Sequence, residues 1–369
     1  MKQVAVVGAG KIGSVIADLL AANGYGVTVL DGSQQALDAL ETAKPVRKAL
    51  VRVEEREALL RELHGKFAVL SAAPFHLTTA IAVAAREARV HYLDLTEDVA
   101  STRIVKDLAN GASTAFIPQC GLAPGFITIV TAHLLRDFDI AEDVRMRVGA
   151  LPEFPSNALN YNLTWSTDGV INEYCEPCEA IVNGQRRETQ PMEELEEFAL
   201  DGVAYEAFNT SGGLGTMCET LIGKVRNLNY RTVRYRGHAA LMKVLLNDLG
   251  LRHRRELLKD ILEHALPTTL QDVVVIFVTV SGQRGGRLVQ KTHAQKVYAA
   301  EVAGRTRSAI QITTASGICA VLDLLAEGRL PASGFVRQED IALEDFLANR
   351  FGRHYAVGSR GVDAIRLAS

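Results

Sequence analysis

The chain opens with the apolar run Val4-Ala5-Val6-Val7, which leads straight into Gly8-x-Gly10-x-x-Gly13. Ile12, Val15, Ile16, Leu19 and Leu20 then recur at helical spacing. A buried strand, a glycine turn and a helix in that order leave few folds open. The first glycine makes the turn, the second leaves room for a pyrophosphate against the backbone, and the third lets helix pack closely on strand. Open N–H groups and the positive end of the helix dipole then face the phosphates. Gly8, Gly10, Lys11, Ile12 and Gly13 are the expected contacts on that side. A second strand over 27–30 ends in Asp31, about 20 residues past the glycines, where an acid accepts hydrogen bonds from the adenosine ribose. Its charge repels a 2′-phosphate, and Gly32, Ser33 and Gln34 supply no cation. NAD is therefore expected rather than NADP. The competing reading of Asp31 is a helix cap ahead of "SQQALDAL".

Strand and helix continue to alternate as far as residue 120. "KALVRVEE", "KFAVLSAAP", "VHYLDLTED" and "STAFIPQCG" read as strands, separated by the helical stretches "REALLRELH", "HLTTAIAVAAREAR" and "DVASTRIVKDLANG". Such alternation implies right-handed crossovers and a parallel sheet with helices on both faces. Ligands then bind outside the carboxyl ends of the strands. Val53, Ala72, Ala73, Pro74 and Gly121 fall on that edge and complete the expected cofactor contacts.

Beyond the break at Pro124-Gly125 an apolar helix is expected from Phe126, and the strands lengthen. They are "DVRMRVGALP", "LNYNLTWST", "EAIVNGQRRET", "RTVRYRGH", "VVVIFVTVSG" and "RLVQKTHAQKVYAAEV", with hairpin signals at Asn183-Gly184 and "SGQRGGR". The fold class is thus α/β: a Rossmann-type parallel sheet domain over 1–121 and an α+β domain with a mostly antiparallel sheet over 122–315. C-terminal helices over 316–369 return to the first domain, beginning with a buried helix over 316–328.

The 369 residues carry a formal net charge of −3 with 22% charged residues, no footprint for nucleic acid. No apolar run is seen that approaches the roughly 18 residues a membrane span needs. The first strand begins at once, leaving no room for a signal peptide, and a cytoplasmic setting is expected. Five cysteines make no disulfide framework, and the pair Cys175 and Cys178 lacks partners for a metal set. No metal is expected.

Asp94, Thr96, Glu97 and Asp98 crowd the end of the fifth strand. Carboxylates there can bind an ammonium group or take its proton before hydride leaves the adjacent carbon. Helix capping accounts for Thr96 and Asp98, less easily for Asp94. Farther on, Arg145 with Arg147 and Arg234 with Arg236 form pairs able to grip a carboxylate through a bidentate fork. His238 follows in "YRGH", where a core histidine is the alternative reading.

The ordered segments "VAVVGAGKIGS", "SAAPF", "HYLDLTED", "GLAPGF", "GALPEFPSNALNYNLTWSTDGVINEY" and "TVRYRGHAALMKVL" resemble the saccharopine dehydrogenase family, nearest its lysine 6-dehydrogenase branch. The resemblance implies a catalytic domain inserted before the final helices and a homo-oligomer, usually a dimer or larger. It also implies oxidative deamination of the ε-amino group of L-lysine with NAD, giving 2-aminoadipate 6-semialdehyde. Asp94 and Glu97 are then the expected catalytic residues, and Thr96, Arg145, Trp165, Arg234 and His238 the expected substrate contacts. The alternatives are a saccharopine- or carboxynorspermidine-forming reductase of the same family, or a non-catalytic NAD-binding protein.

Overall fold

A computed structural model describes residues 1–357 and divides into two compact units. The first unit comprises residues 1–132, 301–305 and 311–354. Its strands are β1 (Gln3–Val7), β2 (Gly26–Asp31), β3 (Arg47–Leu50), β4 (Ala68–Ser71), β5 (His91–Asp94) and β6 (Ala115–Ile117). Between them run α1 (Gly13–Ala22), α2 (Gln34–Ala39), α3 (Arg56–Leu63), α4 (Phe75–Ala88) and α5 (Val99–Ala109). The sheet is parallel throughout, ordered β3-β2-β1-β4-β5-β6, and the short strand Gly334–Phe335 closes the far edge beside β6. Strand order reverses between β1 and β4, so a ligand-binding crevice is expected outside their carboxyl ends. β4 is buried along its length, and Val4–Val7 of β1 likewise, as strands covered on both faces by crossover helices must be. That explains their unbroken apolar runs.

The late helix spans Ala309–Ala326 and so begins earlier than the expected Ser316. The Asp272 side chain accepts from the first two amides of this helix, Ala309 and Ile310, a signal far away in sequence. By length and composition this helix could cross a membrane, contrary to the expectation that no segment could. It is 83% buried within the fold, as a core helix is.

The second unit holds residues 133–300 and 306–310 with the described residues beyond 354. Its strands are β7 (Ile140–Pro152), β8 (Cys178–Val182), β9 (Gln185–Thr189), β10 (Glu196–Leu200), β11 (Val203–Asn209), β12 (Asn227–Tyr235), β13 (Asp272–Arg284) and β14 (Arg287–Tyr298). They form a sheet ordered β10-β11-β12-β7-β13-β14, with the β8–β9 hairpin joined to β12 through Leu228 and Ile181. Every pairing is antiparallel except β7 with β12. Helix α6 (Phe126–Leu135) comes just before, most of it in the first unit, and α7 (Thr167–Cys175), α8 (Met217–Leu221), α9 (His238–Lys243) and α10 (Arg255–Ala265) fall along this part of the chain.

"LNYNLTWST" is not a strand. Asn160 takes a left-handed backbone, the Asn157 side chain bonds both backbone groups of Tyr161, and only Leu163 bridges another segment, at Thr268. The alternation nevertheless buries Tyr161 and Leu163 in a cluster with α7, α9 and α10. Apolar alternation records which face is buried, not whether a ladder forms.

Candidate functional site

The glycine turn is built as its spacing requires. Gly8 sits at φ +107°, donates to the Leu30 carbonyl at 2.8 Å, and a Cβ there would stand 2.7 Å from the Ala72 oxygen. A Cβ on Gly13 would lie 1.9 Å from the Gly8 oxygen. These two glycines hold the turn against the loop after β4 and against itself. Gly10 differs: a Cβ there meets nothing within 4 Å. Among the described residues, the amides of Gly10, Lys11 and Ile12 have no protein acceptor. Three open donors over empty space at the start of a ten-residue helix fit a pyrophosphate.

Asp31 ends β2. One of its carboxylate oxygens accepts from the Ala9 amide at 2.7 Å and the other from the Ser33 amide at 2.8 Å. Ser33, not Asp31, caps α2. Each carboxylate oxygen keeps a lone pair for a ribose hydroxyl. The neighbouring strand adds a residue absent from the sequence reading. β3 runs beside β2, and the Arg52 side chain packs over Gly32, its Cγ 3.4 Å from where a Cβ would stand. Arg52 is exposed and makes no ion pair among the described residues. A cation thus stands beside Gly32 from the segment just after β3, although the residues following Asp31 supply none.

The other expected cofactor contacts fall in three places. Ala72 and Ala73 are half-buried in the loop against Gly8, and Pro74 occupies the N-cap position of α4. Gly121 starts a tight loop in which its carbonyl receives the Phe126 amide at 3.0 Å, with a cis peptide at Ala123–Pro124. Val53 is instead buried in the hydrophobic core with Leu30, Val51 and Leu59.

At the carboxyl end of β5 the acids divide their work. Asp94 is buried: one oxygen accepts from the amides of Thr96 at 3.0 Å and Gln119 at 2.8 Å, the other from the Tyr92 hydroxyl at 2.9 Å. Burial still raises its carboxyl to about 6, against those hydrogen bonds. It braces β5 to the strained Gln119, whose φ is +64°. Thr96 is buried too, its hydroxyl accepting from the Asp98 amide, and Asp98 caps α5 through the Ser101 amide. Glu97 remains. It is half-buried and has no ion pair or other side-chain partner among the described residues. Burial first, then the nearby charges of Asp98 and Asp94, raise its carboxyl to about 7. Its own backbone amide opposes this rise, and a carboxyl near 7 with no side-chain partner is suited to take a proton.

In the second unit, pairing sets Asn229 beside Arg145 and Arg231 beside Arg147, while Arg234 falls on the alternate positions of β12. Arg145 and Arg234 therefore point to opposite faces of the sheet, so they cannot share one ligand. Arg147 and Arg231 both pair with Glu196, and Arg236 pairs with Glu197. Arg234 is buried and makes no ion pair among the described residues, but the Glu173 charge lies close enough to help hold it protonated. Its Nε donates to the Tyr174 hydroxyl at 2.8 Å, one terminal nitrogen donates to the Val233 carbonyl, and its plane lies 5.0 Å from the Tyr161 ring. The chain of bonds continues from Tyr174 to His238 Nε2 at 3.0 Å. His238 Nδ1 donates to the Leu159 carbonyl at 2.9 Å, which assigns the tautomer. Burial, then the Arg234 charge, lowers the imidazole to about 3, so it is neutral with both nitrogens engaged. His238 is a satisfied core histidine. Trp165 covers Gly169 on α7, its ring 2.3 Å from where a Cβ would stand. Cys175 and Cys178 are free thiols, and no cluster of metal-ligating side chains occurs among the described residues.

Comparison with known proteins agrees with this anatomy. Residues 4–115 match the family model described as saccharopine dehydrogenase NADP binding domain, and residues 121–353 match the saccharopine dehydrogenase C-terminal domain. The mouse mitochondrial alpha-aminoadipic semialdehyde synthase is 25% identical over 195 residues, 50% of this chain and 21% of that protein. The match thus spans about a fifth of that relative. Saccharopine dehydrogenase (L-Glu forming) from Saccharomyces cerevisiae shares the fold with a TM-score of 0.80 at 16% identity, covering 94% of this chain and 97% of that one. A homospermidine synthase from Legionella pneumophila, solved with NAD, gives 0.68 at 10% identity over 96% and 89%. The chain belongs to the saccharopine dehydrogenase family.

Proposed function

We propose that the protein oxidatively deaminates the ε-amino group of L-lysine with NAD, yielding 2-aminoadipate 6-semialdehyde. The observation that carries this reading is Glu97, partnerless and raised to about 7 at the carboxyl end of β5. The amine arrives as an ammonium with a pKa of roughly 10.4 and must lose a proton before its carbon gives up hydride. Glu97 attracts the cation, accepts that proton, and stabilises the iminium that forms. Water then adds at that carbon and ammonia leaves. Bound NAD supplies the hydride acceptor; Gly10, Lys11 and Ile12 hold its pyrophosphate and Asp31 its ribose.

The arginines of the second sheet bear on the rival within the family. A reductase that joins an amine to a carbonyl acid must hold a second carboxylate. Arg147, Arg231 and Arg236 are committed to glutamates, and Arg145 faces the other way. The three paired guanidiniums are thus not free to hold it.

The test is NADH formation with L-lysine, ornithine and saccharopine, and NADH consumption with lysine plus 2-oxoglutarate. Turnover of lysine alone is expected, rising through pH 7 as Glu97 ionises. Glu97→Gln should lower kcat about 100-fold and remove that step from the profile. Consumption of NADH only when both lysine and 2-oxoglutarate are present would establish the reductase instead. Full activity in Glu97→Gln would remove the proposed base.

A further inference from the structure

The second unit contains a cavity of about 210 Å³, bordered by Arg145 on β7, Asn229 on β12 and Asn209 at the end of β11. Glu179 of β8 and Glu194 close its other side. It exists because β12 changes partner. β11 pairs with β12 only as far as Arg231, and β8 meets β12 only at Leu228, leaving a gap beside Asn229 and Tyr230. One water occupies roughly 30 Å³ of liquid, so the space exceeds a single solvent molecule.

Two groups in this wall make no hydrogen bond or ion pair, although the Arg145 charge helps to lower the Glu196 carboxyl. Arg145 is exposed and, among the described residues, forms no ion pair or hydrogen bond. Asn229 Oδ1 is shielded from solvent and accepts no hydrogen bond. The two residues are register partners on adjacent parallel strands, roughly 4.8 Å apart, and point to the same face. A fork of donors and a lone acceptor thus stand side by side. The carboxylates nearby are engaged, Glu194 with Arg231 at 2.9 Å, Glu179 with Arg186, and Asp143, on the strand of Arg145, accepting from Asn227 at 2.6 Å. Asn209 is held as well, accepting from Arg231 and donating to Thr189.

We propose that this cavity is a second ligand site for a free α-amino acid, its carboxylate on Arg145 and its ammonium on Asn229 Oδ1 towards Glu194. An α-amino acid carries its two charges one carbon apart, matching neighbouring side chains of a sheet. A plain carboxylate would leave the buried amide oxygen unmet, and a plain amine would leave the guanidinium unmet; each omission forfeits a charge-assisted bond. Arg145 lies on the face of the sheet opposite Arg234 and has no role in the proposed lysine reaction.

The test is calorimetric titration of the full chain with L-alanine and L-glutamate, and with propionate and n-propylamine as one-charge controls. One equivalent of at least one amino acid should bind, with each control weaker by about tenfold or more. Arg145→Gln and Asn229→Leu should each weaken that binding about tenfold, while Arg145→Gln leaves NADH formation from the enzyme's own substrate unchanged. Amino-acid binding of equal strength in wild type and Arg145→Gln would overturn the proposal. So would propionate binding as tightly as the amino acids, or no binding of either amino acid.

Discussion

Gly10→Val separates what the glycine turn does for the fold from what it does for the cofactor. A Cβ on Gly10 meets nothing within 4 Å, and its backbone is not left-handed, so the free protein accommodates valine without a clash. The same carbon on Gly13 would stand 1.9 Å from the Gly8 carbonyl, and the turn would have to open. Cofactor reverses the ranking. A phosphate must come within about 3 Å of the amides to accept from them, and the branched side chain stands in that approach. Losing two charged hydrogen bonds at roughly 1.5–3 kcal/mol each gives about 3–6 kcal/mol, a weakening of about 10²–10⁴-fold. Gly13→Ala should instead cost stability, about 1–3 kcal/mol or more by overpacking. NADH fluorescence titration and urea unfolding on both variants make the comparison. Gly10→Val that still binds within threefold, or that unfolds as readily as Gly13→Ala, would refute the assignment of the open amides to pyrophosphate.

Asp31 and Arg52 are the residues on which a test of cofactor choice turns. Wild type is expected to favour NAD over NADP about tenfold, Asp31→Ser to narrow the gap, and Arg52→Ala to widen it by removing a cation beside Gly32; kcat/KM for both cofactors reads all three. Burial raises the Asp272 carboxyl to about 6 from 3.8, so the folded state holds this proton more tightly than the unfolded chain does. Its contribution to stability therefore falls as pH rises from about 4 to about 6, by roughly 3 kcal/mol. Asp272→Asn should flatten that part of the pH dependence in urea melts, and an unchanged slope would show that Asp272 does not cause it.

What the sequence displays is whatever lies next to its own strand or helix. The glycine turn, Asp31 at the end of β2 and the acids after β5 are all read from neighbours within a few positions. Arg52 is not, because it reaches Gly32 from the adjacent strand, and strand order is not written in any local stretch. The start of the late helix escaped for the same reason: its cap, Asp272, lies on β13. Faces of the second sheet needed registers, which alone show Arg145 and Arg234 turned apart. β10, with Glu196 and Glu197 beside Phe198, carries too little apolar alternation to announce itself. The structure also distinguishes two acids that the sequence treats alike, since only contacts reveal that Asp94 is fully hydrogen-bonded and Glu97 is not.

The seventh strand of the parallel sheet has a consequence for how the chain is made. Gly334–Phe335 docks beside β6, with the Val336 amide on the Phe116 carbonyl, and Lys2 reaches the Ala326 carbonyl at the end of the late helix. On a ribosome, β1 to β6 emerge first, then the whole of residues 133–300 must be synthesised before these partners exist. At roughly 5–20 residues per second that interval is on the order of ten seconds. Throughout it the outer edge of β6 is unpaired and the bed of the late helix is bare. β6 is three residues long, too short to template another strand well, which limits the hazard of the wait. The nascent first half is thus an unfinished body whose completion is timed by the translation of the other.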